Sequence, residues 1–185
     1  YVVHILYSVP NTADLAPNVA RVFENTQIEA QNFASICLAF FNLICFIIAI
    51  PIAKMAQIQG NKRVHAISLL TMAAAYLLIA FMPNKVTVFA AMGLAGIGWA
   101  STLSLPFAML SKYIKEGTEG SAMGIFNIFI SAPQVLVCTL LAWFIDVATY
   151  NMAGGFTNNH WDYAFMFGAI MLVIASFIAL STKEE

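Results

Sequence analysis

Long apolar segments alternate with short polar ones along the whole chain. Five of these segments, residues 33–53, 64–82, 86–110, 120–146 and 161–180, are almost continuously apolar. A helix of about 20 apolar residues, rising about 1.5 Å per residue, crosses the hydrocarbon core of a bilayer. The pattern therefore predicts an all-α membrane protein with five complete spans.

Residues 1–9 are also apolar, but this segment is too short to cross a membrane. It is interpreted as the end of a further helix whose first part is missing, which would make residues 1–185 one six-helix unit. Residues 10–31 are polar and contain Pro17. We therefore expect an external loop there, with room for a short surface helix.

The composition favours a membrane protein. Apolar residues make up 61% of the chain and charged residues 9%, whereas soluble domains carry about 25% charged residues. The net charge of −1 offers no basic surface for nucleic acid. All three cysteines fall in apolar segments, so they are expected to pack as small apolar side chains, and neither a metal nor a cofactor is expected.

Basic residues in the short loops predict the orientation, because they are enriched on the cytoplasmic side of membrane proteins. Two basic residues, Arg21 and Lys85, fall on one side of the predicted spans. The other six are expected to be cytoplasmic, and they are Lys54, Lys62, Arg63, Lys112, Lys115 and Lys183. This distribution places the carboxyl terminus inside the cell and makes Lys62 and Arg63 part of a cytoplasmic basic loop.

One face of the fourth span is small and polar. Its members are separated by four, three, four, three and four residues, which keeps them on one side of a helix. They are Gly120, Gly124, Asn127, Ser131, Gln134 and Cys138. Such a face is either a seam between helices or the lining of a polar solute path. The amides of Asn127 and Gln134 offer donors and acceptors, which suits sugar hydroxyls, and Pro133 is a candidate bending point.

The third span combines glycines with polar residues. The glycines are Gly93, Gly96 and Gly98. No strand precedes them, so they are not a nucleotide-binding fingerprint, and close helix packing is the expected use. The polar residues are interpreted either as packing or as solute contacts, and they are Trp99, Ser101 and Thr102. Pro106 removes a backbone hydrogen bond and is expected to bend this helix.

Four short motifs stand out between residues 96 and 134. They are Gly98-Trp99-Ala100, Leu105-Pro106-Phe107-Ala108, Met123-Gly124-Ile125-Phe126-Asn127 and Pro133-Gln134. With these motifs, the third and fourth spans resemble the tenth and eleventh helices of the major facilitator superfamily. More narrowly, they are similar to the glycoside–cation symporters, which include bacterial maltose and sucrose carriers, plant sucrose transporters and their animal relatives.

The resemblance implies the carboxyl-terminal half of a transporter that is completed by a missing amino-terminal half. It implies symport of a glycoside such as sucrose or maltose with a proton across a cell membrane. The implied substrate or pathway residues are Asn127, Gln134, Ser131, Trp99, Ser101 and Thr102, with bending at Pro106 and Pro133.

Two other classes of protein remain as alternatives. One is a membrane scaffold or assembly subunit without transport. The other, an intramembrane enzyme, is disfavoured because no pair of acids shares a span and because His4, His65 and His160 fall in loops or at span ends.

Overall fold

The computed structural model describes residues 6–8, 17–111, 113–141, 143 and 161–182. These ranges contain five helices that are long and apolar enough to cross a membrane. They are α1 (Pro17–Gln59), α2 (Asn61–Phe81), α3 (Lys85–Ser111), α4 (Glu119–Leu136) and α5 (Trp161–Ser181). A π-helical turn, Val137–Leu141, continues α4. The prediction of an all-α membrane protein is confirmed, and no strand occurs in the described ranges.

Some predicted features lie outside the described residues. They are most of the partial span over residues 1–9, the last residues of the fourth predicted span, the loop over residues 147–160, and the side chains of Lys112 and Lys183.

The first helix is much longer than its apolar segment. α1 runs for 43 residues from Pro17 to Gln59, so the external loop predicted over residues 10–31 is wrong from Pro17 onwards. The polar part of α1 contains no glycine, and its one proline stands at the first helical position, where a missing N–H costs nothing. The polar residues therefore continue the helix beyond the apolar segment and do not end it.

The predicted basic loop is reduced to a single residue. Gly60 reverses the chain between α1 and α2 with a φ of +90°, a conformation that side-chain-bearing residues rarely adopt. Lys62 and Arg63 lie in the first turn of α2, so their predicted placement in a loop is wrong. Because Gly60 alone makes the chain reversal, Lys62 and Arg63 still lie close to that reversal.

The central helix of the bundle is α2. It lies between α3 and α5, while α1 packs mainly against α3. On the α5 side, the ring of Tyr76 meets the ring of Phe165 edge-on at 5.6 Å. A Cβ added at Gly168 of α5 would lie 2.9 Å from the same tyrosine ring. The seam between α2 and α5 therefore depends on a glycine that makes room for an aromatic ring.

The glycines of α3 allow close packing, as the sequence predicts. A Cβ added at Gly96 would lie 2.6 Å from the carbonyl oxygen of Phe41 on α1. One added at Gly98 would lie 2.5 Å from the Cβ of Met72 on α2. Gly93 also faces α1. α3 is thus held by two neighbouring helices whose atoms occupy the space that a side chain would need.

The fourth helix stands apart from the other four. Its main contact with them is the ring of Phe126 against the ring of Phe107 on α3, with centroids 4.5 Å apart. None of its residues is buried. α4 therefore presents nearly its whole surface outside the bundle that α1, α2, α3 and α5 form.

Candidate solute-path face

The small and polar face predicted on the fourth span lies on α4 and its π-helical extension. All six of its residues are exposed. A Cβ added at Gly120 or Gly124 would meet no atom within 4 Å. A helix seam requires a second helix against these glycines, and no described helix lies there. Within the described part of the chain, this face is therefore open.

Two amides and a hydroxyl project from the open face. Asn127, Ser131 and Gln134 are all exposed, and they follow one another over about 10 Å of helix. Amides and hydroxyls are costly in hydrocarbon when they have no hydrogen-bond partner. The row therefore requires polar groups opposite it, supplied by water, by a solute or by another part of the protein.

Pro133 directly precedes Gln134 and lies one helical turn before a change in helix geometry. It has no N–H, so the carbonyl oxygen of Phe129 receives no helical hydrogen bond from it. α-Helical geometry continues as far as Leu136, and the chain then widens into the π-helical turn Val137–Leu141. Such turns occur frequently at functional sites.

The polar residues of the third span are engaged inside the bundle. Ser101 is fully buried, and its Oγ lies 2.9 Å from Nδ1 of His65 on α2. Thr102 is half-buried and its hydroxyl donates to the carbonyl oxygen of Gly98 at 3.0 Å. Trp99 is half-buried and packs against the apolar core. Ser101 and Trp99 therefore contact neighbouring helices and the Thr102 hydroxyl is bonded within α3, while the α4 candidates face outward.

His65 is the candidate that the sequence analysis missed. It is half-buried in the second turn of α2, and an ionisable side chain inside a membrane span needs a specific partner. No local pattern reveals that partner, because Ser101 is 36 residues away and the pairing depends on how α2 and α3 are rotated. In the described part of the chain no group of His, Cys, Asp and Glu is arranged to hold a metal ion.

The two basic residues after Gly60 differ in their surroundings. The Nζ of Lys62 donates to the carbonyl oxygen of Thr182, directly after α5, whereas Arg63 is exposed. A cation near the last carbonyls of a helix also interacts favourably with the helix dipole. Lys62 thus ties the start of α2 to the end of α5.

The five spans define an integral membrane protein in which the fourth helix carries an open polar face. Residues 15–185 match the family model of the Major Facilitator Superfamily. The chain belongs to the Major Facilitator Superfamily, whose members are membrane transporters of small molecules.

Two curated relatives match about half of the chain. The general alpha-glucoside permease of Schizosaccharomyces pombe (strain 972) is 30% identical over 101 residues, which cover 52% of this chain and 18% of that protein. The uncharacterized MFS-type transporter YybF of Bacillus subtilis (strain 168) is 27% identical over 93 residues, or 50% of this chain and 23% of that protein. The chain thus matches less than a quarter of either relative's length. No solved structure matches it.

Proposed function

We propose that the chain is the carboxyl-terminal half of a secondary active transporter that couples the uptake of a glycoside, such as sucrose or maltose, to proton entry. The superfamily supports transport, and the similarity to an alpha-glucoside permease supports a glycoside. The observation that carries the proposal is the open row of Asn127, Ser131 and Gln134. It offers neutral donors and acceptors, as sugar hydroxyls require, without a charge.

The proposed mechanism uses α4 as one wall of the solute path. In this superfamily two halves rock against each other about a site near the bilayer midplane. The amides of Asn127 and Gln134 would bind sugar hydroxyls there, assisted by Ser131. Pro106 and Pro133 interrupt the backbone bonding of α3 and α4, and these weak turns would bend as the halves rock.

Proton coupling requires a group that binds and releases the proton within the membrane. None of the described spans carries an acidic residue near its middle. Glu24 and Glu29 lie in the polar part of α1, Glu119 begins α4, and Asp162 lies in the first turn of α5. The coupling carboxylate is therefore proposed to lie in the other half of the transporter.

Uptake of radiolabelled sucrose and maltose into cells that express the full-length carrier tests the function. We expect saturable uptake that an uncoupler of the proton gradient abolishes. A carrier that is present in the membrane but takes up neither sugar would contradict glycoside transport. Uptake that persists with the uncoupler and follows a sodium gradient would contradict proton coupling.

Proteoliposomes that contain residues 1–185 alone provide a second test. We expect no sugar accumulation under an imposed pH gradient, because one wall of the path and the coupling carboxylate are absent. The full-length carrier, reconstituted in parallel, is the positive control. Accumulation by residues 1–185 alone would show that both features lie within this chain.

The proposal also includes location and orientation. The carrier is proposed to lie in the cell membrane with its carboxyl terminus in the cytoplasm. In a background without native cysteines, Lys115→Cys is expected to be protected from a membrane-impermeant thiol reagent in intact cells, and Asn84→Cys is expected to be labelled. Both positions are exposed and flank α3 at opposite ends. The reverse labelling pattern would overturn the charge-based orientation.

A further inference from the structure

The seam between α2 and α3 contains a polar bond next to its closest backbone contact. A Cβ at Gly98 would lie 2.8 Å from the carbonyl oxygen of Ser68 as well as against Met72. About one helical turn further along α3, the hydroxyl of Ser101 lies 2.9 Å from Nδ1 of His65. The two helices therefore approach closely at Gly98 and are joined by a side-chain hydrogen bond about one turn away.

Ser101 uses its hydroxyl differently from its neighbours. Thr102 and Ser104 each bond to the carbonyl four residues earlier in α3, at 3.0 and 2.8 Å. Bonds of this kind satisfy a hydroxyl within its own helix and join it to nothing else. Ser101 instead reaches the imidazole of His65 on α2, and it does so with no exposed surface. This bond fixes both the height and the rotation of α3 relative to α2.

The bond lies directly before a weak point in α3. Pro106 has no N–H, so the carbonyl oxygen of Thr102 lacks its usual helical partner. Immediately after the proline, Phe107 makes the main contact to α4 through Phe126. His65 thus holds α3 through Ser101 about one turn before the proline-weakened turn, and α4 is attached beyond that turn. Leu105, directly before the proline, packs in a core cluster with Ile52 and Val64, so the hydrogen bond acts together with this packing.

We propose that His65 is a positioning residue for the solute path: through Ser101 it fixes α3 at the proline-weakened turn and thereby sets the place of the open face of α4. Its effect on solute binding rests on the proposed function, whereas its effect on the position of α4 does not. The path from His65 to α4 is continuous in the structure, through Ser101, the turn at Pro106 and the ring contact with Phe126.

The test reports the position of α4 without requiring transport. In the full-length carrier without native cysteines, Ser131→Cys serves as a reporter on α4, and its rate of reaction with a water-soluble thiol reagent is measured. We expect His65→Leu and Ser101→Ala each to change this rate by about 3- to 15-fold, the range of a hydrogen bond between membrane helices. The double variant is expected to show no larger change than either single one, because both remove the same bond.

Two further variants separate positioning from general stability. His65→Asn places an amide atom at the same distance along the side chain as Nδ1, so it is expected to restore the rate. Ser176→Ala removes a buried hydrogen bond of 3.1 Å from α5 to the carbonyl oxygen of Ala66 on α2, the residue next to His65. It is expected to lower the melting temperature and to leave the labelling rate unchanged.

The possible outcomes distinguish the proposals. Additive effects of the two single variants, an unchanged rate in both, or an equal change in Ser176→Ala would overturn the positioning role. If the labelling pattern is as expected but the full-length carrier with Ser131 intact takes up no glycoside, the positioning role stands and the proposed glycoside function falls.

Discussion

Gly98→Ala is expected to lower the melting temperature of the protein sharply. The new Cβ would lie 2.5 Å from the Cβ of Met72 and 2.8 Å from the carbonyl oxygen of Ser68. Neither atom is at the end of a flexible side chain, so α2 and α3 must move apart. Overpacking of this kind costs about 1–3 kcal/mol, which over most of that range exceeds the roughly 1 kcal/mol that alanine gains over glycine in a helix.

Gly124→Ala is the matched control, because it makes the same substitution inside a helix. A Cβ there would meet no atom within 4 Å, so only the helix-forming advantage of alanine remains. Melting of the purified 185-residue chain in detergent is expected to fall for Gly98→Ala and to stay level or rise for Gly124→Ala. A melting temperature of Gly98→Ala that matches the unmodified chain would contradict the close packing of α2 on α3.

Gln134→Ala is expected to weaken sugar binding by the full-length carrier by about 5- to 150-fold. Removing the amide would leave a sugar hydroxyl unpaired in a partly dry site, which costs roughly 1–3 kcal/mol. Gln134 is exposed on α4 and lies against none of the described helices, so its loss is not expected to destabilise this half of the carrier. Half-saturation of uptake, normalised to the amount of carrier in the membrane, measures the effect.

Thr139→Ala is the control for Gln134→Ala. Thr139 is also polar and exposed, but its hydroxyl donates to the carbonyl oxygen of Val135 in its own helix at 2.8 Å. Its substitution is expected to leave half-saturation unchanged. If Gln134→Ala instead lowers the melting temperature of the carrier and leaves half-saturation unchanged, Gln134 belongs to a contact between the halves and the binding role is refuted.

Hydropathy predicted the number of spans but not the length of α1. The apolar pattern reports which residues sit in hydrocarbon, while helix formation depends on backbone preferences that continue into water. The polar residues between Pro17 and Phe33 favour a helix but are not apolar, and so this part of the helix was interpreted as a loop. The same reasoning explains why Lys62 and Arg63 stand in a helix and not in a loop.

Helix periodicity predicted which residues share a face but not what lies opposite that face. The close-packing glycines of α3 were recognised, yet the pattern did not show that Gly96 meets α1 and Gly98 meets α2. The face with Asn127 was compatible with a seam or with a solute path, and the structure leaves it open in the described part of the chain. The pairing of His65 with Ser101 needed the rotation of two helices, which no local pattern contains.

The 43 residues of α1 correspond to a rod of about 64 Å, about twice the thickness of the hydrocarbon core. Arg21, exposed near its amino end, lies about 32 Å along the axis from Asn42, so a tilt of α1 by about 10° about Asn42 moves Arg21 by about 6 Å. A small change in the tilt of α1 therefore produces a large displacement of its polar amino-terminal end. The distance between two spin labels, one at this end of α1 and one at the end of another helix, would measure that change in tilt.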